Sequence, residues 1–77
     1  MNELTFYGYK VGFNKVALTR LLRERADLSL SEAKCIVDEV LENKTVHLNI
    51  ASEENAEHIL SNSTQLGALV ELKKHLH

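Results

Sequence analysis

Phe13-Asn14-Lys15-Val16-Ala17-Leu18-Thr19-Arg20-Leu21-Leu22-Arg23, followed after a short turn by Ser29-Leu30-Ser31-Glu32-Ala33-Lys34, is the stretch that decides the fold. At about 100° per residue, Ala17, Leu18, Leu21 and Leu22 share one arc of a first helix that runs from Lys15 to Arg25. That arc faces a core. Val16, Thr19, Arg20 and Arg23 share the opposite arc, with Lys15 at its edge. Val16 is thus an apolar residue ringed by cations. One reading is a solvated face with a stray valine, because single exposed apolar residues are common. The other is a contact surface, in which Val16 and the arginine stems supply apolar area and the guanidinium heads grip carboxylates. Ala26-Asp27-Leu28 forms the turn. Ser29 to Glu32 has the form of a capping box: the serine hydroxyl accepts from the third helical amide, and the glutamate reaches back to the serine amide. Leu30, Ala33, Ile36, Val37, Val40 and Leu41 line the inner face of this second helix, with Lys34 and Asp38 off that face. Packed as a hairpin, the two helices bring Lys34 to the basic patch.

Outward from this hairpin, residues 3–11 read as a strand in which Leu4 and Phe6 alternate with Thr5 and Tyr7. Gly8 marks a bulge or a close approach by another segment. Gly12 ends the strand, and Asn14 is placed to cap the first helix. After a turn at Glu42-Asn43-Lys44, residues 45–50 alternate polar and apolar without a miss, which predicts a strand with one buried face. Ser52 caps a third helix whose first turn carries Glu53 and Glu54 at the positive end of its dipole. Ala56, Ile59, Leu60 and Ser63 form its inner face, and Gly67 stands where a helix ends in a left-handed residue. In a last strand Ala68, Val70 and Leu72 face inward while Leu69, Glu71 and Lys73 face outward. The order is β-α-α-β-α-β, an α+β fold with one sheet and its helices on one face. Residues 1–74 form a single domain and 75–77 a loose tail.

A chain of 77 residues, 44% apolar and 26% charged, has the composition of a soluble globular domain. The net charge of −2 argues against a general or sequence-specific nucleic-acid binder. The charge is unevenly placed. Residues 1–34 carry six Lys/Arg against four Asp/Glu, or +2, and residues 35–77 carry three against seven, or −4. That fits one basic patch. A lone Cys35 allows no internal disulfide, and neither a signal peptide nor an 18-residue apolar run is present. A cytoplasmic protein with no membrane segment is expected, so the sequons at Asn43 and Asn62 carry no meaning.

No constellation supports catalysis. His47, His58, His75 and His77 lack the spacing of a metal site, and Cys35 has no second thiol near it. Nothing supplies an oxyanion hole or a phosphate-cradling loop. Glu53-Glu54 is explained by the helix start. No enzyme activity, metal or cofactor is expected.

Asn14-Lys15-Val16-Ala17, then Arg20, Arg23 and Leu28-Ser29-Leu30-Ser31-Glu32-Ala33-Lys34, resembles the C-terminal domain of the bacterial large-subunit ribosomal stalk protein. That family carries a run of the form NKVAxxKxxRxxxxLxLKEAK, matched here without a gap. Asn55-Ala56-Glu57 to Gly67-Ala68, then Val70-Glu71, resembles the family's ending. The resemblance covers nearly the whole chain and implies a three-stranded antiparallel sheet with three helices on one face. It also implies a module that recruits translation GTPases through its first two helices. By matching position, Lys15, Val16, Thr19, Arg20, Arg23 and Lys34 would form that surface. The wheel alone singles out all of these but Lys34, which it leaves at the margin.

The chain also departs from the family. The sequence carries neither the dimerisation domain nor the Ala/Gly-rich hinge of stalk proteins, which reads as a free-standing, divergent relative or as a domain cut from a larger protein. Asp27 and Ser29 replace the family's glycines in the inter-helix turn, and Thr19 replaces an apolar contact residue. The connection after the second helix is three residues longer and lacks the family's proline. The same fold resembles the Clp-protease adaptor that recognises N-terminal degradation signals. Gly12-Phe13-Asn14 stands where that family has an acidic segment. The expected partner is thus a translation elongation factor GTPase or a ribosome-associated protein. The alternative is an adaptor of another machine, or a weakly dimeric interaction protein paired through a strand edge.

Overall fold

Leu4 and Phe6, both fully buried, sit on the central strand of the sheet, and the rest of the chain is laid around them. The computed structural model describes residues 2–74; the tail expected at 75–77 lies outside them. The elements are β1 (Asn2–Tyr9), α1 (Lys15–Arg25), α2 (Leu30–Leu41), β2 (Val46–Ile50), α3 (Glu53–Gln65) and β3 (Ala68–Lys74). The three strands lie in the order β2-β1-β3, and both pairings are antiparallel. This is the α+β arrangement expected from the sequence. Helices α2 and α3 pack on the sheet, and α1 packs against both of them. Leu18 and Leu22 of α1, Ala33, Val37 and Val40 of α2, and Ala56 and Ile59 of α3 meet Leu4 and Phe6 in one core.

The caps form as the sequence dictates. Asn14 accepts from the Ala17 amide at 3.0 Å, and Ser52 from the Asn55 amide at 3.3 Å. Both halves of the Ser29–Glu32 box close at 3.1 Å. Helix α2 ends on Asn43, at φ +62°, with the Lys44 amide donating to the Glu39 carbonyl and the Asn43 amide to that of Val40. These are the two bonds of a Schellman ending. Gly67 ends α3 at φ +97°, and a Cβ there would lie 3.0 Å from the Phe13 Cα. The Asn14 amide bonds the Leu66 carbonyl and the Lys10 amide that of Gly67, which pins the start of α1 to the end of α3.

Four details differ from the sequence reading. Strand β1 stops at Tyr9 rather than residue 11, because the Lys10 amide turns to Gly67 and Val11 is left fully exposed. Thr45 falls just outside β2. Thr5 points away from the helices yet is buried, since it lies between His47 and Glu71 on the flanking strands. Leu30 does not join the core and stands 48% exposed. Gly8 does both things open to it: the β1–β3 register shifts between Phe6 and Gly8, and a Cβ on Gly8 would come within 3.2 Å of the Leu69 side chain.

Candidate partner-binding cleft

Two faces meet between α1 and α2, and their composition follows from where each helix spends its apolar residues. Helix α1 buries Leu18 and Leu22, which turns Val16, Arg20 and Arg23 outward; Val16 is 65% exposed. Helix α2 buries Ala33, Val37 and Val40, which leaves Lys34 exposed on the flank toward α1. Val16, Thr19, Arg20, Arg23, Leu30 and Lys34 line an open groove of about 300 Å³. A second depression of about 150 Å³ continues from it, sharing Val16, Thr19 and Lys34 and adding Lys15, Val37 and Asp38. All six residues singled out in the sequence therefore line one continuous cleft.

The cleft has an apolar floor and a cationic rim. Val16 and Leu30 are the exposed apolar residues in it. Among the described residues, none of Lys15, Arg20, Arg23 and Lys34 has a carboxylate within ion-pairing distance. Their charge is not neutralised within the fold. Asp38 sits at the far end of the cleft as its one acidic lining residue. Thr19 donates its hydroxyl to the Lys15 carbonyl at 2.9 Å, so that proton is already committed inside α1. Arg20 sits on the crest of α1 and also lines a depression on the other side, shared with His58 and Asn62 of α3.

Leu30 is the cleft residue that sequence reasoning assigned to the core. The signal was present in the wheel: Leu30 lies roughly 40° from Lys34, at the edge of the apolar arc. It is also the first residue of α2, where α1 has already ended in the Asp27 turn. Glu32, two residues further on, is exposed and points back to Ser29. The Ser29 backbone amide, and then its hydroxyl, hold the Glu32 carboxyl below its ordinary value. That charge serves the helix start and does not line the cleft.

The arrangement suits capture of a protein surface that offers acidic groups around an apolar anchor. Among the described residues, no three His, Cys, Asp or Glu side chains come together as a metal site, and no helix is long and apolar enough to cross a membrane.

Comparison with known proteins bears on the same elements. The chain is 44% identical over 63 residues to the large ribosomal subunit protein bL12 of Endomicrobium trichonymphae. That match takes in 82% of this chain and 48% of the relative, so the chain spans about half the length of the curated protein it matches. Residues 9–73, which run from the end of β1 through both cleft helices and into β3, match the family described as the ribosomal protein L7/L12 C-terminal domain. With the β-α-α-β-α-β order in place over that same span, the chain belongs to the ribosomal protein L7/L12 C-terminal domain family.

Proposed function

We propose that this chain is a non-enzymatic binding module of the ribosomal stalk type, which docks a translation GTPase in the cleft between α1 and α2. The observation that carries the reading is the cleft itself: four cations, without ion-pair partners among the described residues, around Val16 and Leu30. Family membership supplies the class of partner. In this reading Lys15, Arg20, Arg23 and Lys34 steer and orient an acidic surface, and Val16, Thr19 and Leu30 supply the desolvated contact. Thr19 is smaller and more polar than the apolar residue it replaces.

The test is an amide-shift titration of the labelled protein with elongation-factor GTPases at low and moderate salt. Shifts confined to residues 15–23 and to the surroundings of Leu30 and Lys34 are expected, and they vanish in Arg20→Glu. Absence of shifts at high partner concentration would leave the relationship to stalk proteins as one of fold alone.

A further inference from the structure

The sheet has three strands, and β3 is one of its two edges. It runs seven residues, Ala68–Lys74, with β1 on one side and no strand on the other among the described residues. Edge strands are templates for pairing with another chain. Two observations indicate what this edge accepts. First, Glu71 and Lys73 are both exposed on it, and neither makes an ion pair among the described residues. Second, Val70 and Leu72, on the helix-covered face, remain half-buried where Leu4 and Phe6 beside them are fully buried.

We propose that the free edge of β3 pairs antiparallel with the same edge of a second copy of this chain, about a two-fold axis at Leu72. In that register Glu71 of each copy lies opposite Lys73 of the other, twice over, and the two Leu72 residues face each other over the helical side. Opposite charges directly across an antiparallel pair stabilise it, and like charges oppose it. The neighbouring register, centred on Glu71, would set Glu71 against itself. The other edge, β2, offers five residues with His47 and Asn49 outward and no complementary charges. Helix α2 packs toward β2 while α3 covers β3, so the α1–α2 cleft lies away from the proposed seam. The pair would present two open clefts on one particle, with the avidity that follows from linkage.

Sedimentation velocity across a dilution series should show a monomer–dimer equilibrium, and the amides of residues 70–74 should move most on dilution. Glu71→Lys alone sets lysine against lysine, and Lys73→Glu alone sets glutamate against glutamate. Each should weaken self-association by about tenfold or more. Mixing the two variant chains restores both complementary pairs, so the equimolar mixture should associate again, with its shifts on β3. A chain that stays monomeric at its highest soluble concentration, self-association that survives both reversals, or dilution shifts centred on α1 and α2 would overturn the proposal.

Discussion

Gly67 and Gly12 offer a controlled comparison of what a single Cβ costs. Both sit at positive φ, +97° and +89°. A side chain at Gly12 would meet nothing within 4 Å, whereas one at Gly67 would press on the Phe13 backbone, which has nowhere to yield. Gly12→Ala should therefore lose about 1 kcal/mol, the cost of left-handed backbone alone. Gly67→Ala should lose about 2–3 kcal/mol, because the contact must be relieved by shifting the seam between α1 and α3. Chemical denaturation of the two variants measures the difference, and equal losses would mean that the Phe13 contact carries no strain. Gly67 was legible in the sequence as a helix end, since that need is local. Its second role was not, because Phe13 is distant in sequence and is brought there by the Lys10 and Asn14 amides bonding to the Gly67 and Leu66 carbonyls just past α3. Leu30 failed to be read for a related reason. Its place on the wheel is ambiguous, and its exposure depends on where α1 stops.

Helix α2 was the most legible element, because both of its ends are written in residues that bond locally. The box at Ser29 and Glu32 fixes its start. Asn43, in the left-handed region, closes its end, a position the sequence reading gave only as a turn. Ser29→Ala should cost about 1 kcal/mol of stability by orphaning the Glu32 amide. The same change should raise the Glu32 titration midpoint only part of the way toward its ordinary 4.5, since it removes the Ser29 hydroxyl and keeps the backbone amide, the larger cause of the lowering. The sign of the pH effect follows. A carboxyl whose folded value is lowered contributes in full above its unfolded value, and the contribution fades as pH falls through the folded one. The box therefore holds at neutral pH and loosens only in acid. A side-chain NMR titration of Glu32 in both proteins tests this; a Glu32 midpoint at its ordinary value in the unsubstituted protein would mean that the box is not formed in solution. The ends of β1 and β2 were less legible. Strand limits here are set by partners: Lys10 leaves β1 for Gly67, and Thr45 falls outside the ladder that Val46 begins.

At the scale of the whole molecule, a chain of net charge −2 concentrates in one cleft four cations that have no ion-pair partner among the described residues. That asymmetry was visible as a basic first half and an acidic second half. Six of the residues that line the cleft could be named in advance, because a helix wheel and a hairpin suffice to bring them together, whereas Leu30 was assigned to the core. The physical consequence is a separation of effects that salt can reveal. Added salt screens exposed charges over a Debye length of about 10 Å at 0.1 M. It should slow association with an acidic partner by about tenfold or more between low and moderate ionic strength, because steering is lost. It should not destabilise the fold. Among the described residues Lys15, Arg20, Arg23 and Lys34 have no ion pair to lose, and the Lys44–Glu42 and His47–Glu3 contacts are long and at least partly exposed, at 3.7 and 3.8 Å. Such pairs contribute about 0–1 kcal/mol. Screening among the four cations instead relieves their mutual repulsion, so the melting temperature should hold or rise slightly. Stopped-flow association rates and thermal melts over one salt series give both readings from one protein. A melting temperature that drops in step with the association rate would mean that the cleft cations hold the fold together, and the cleft would then be a structural feature instead of a docking site.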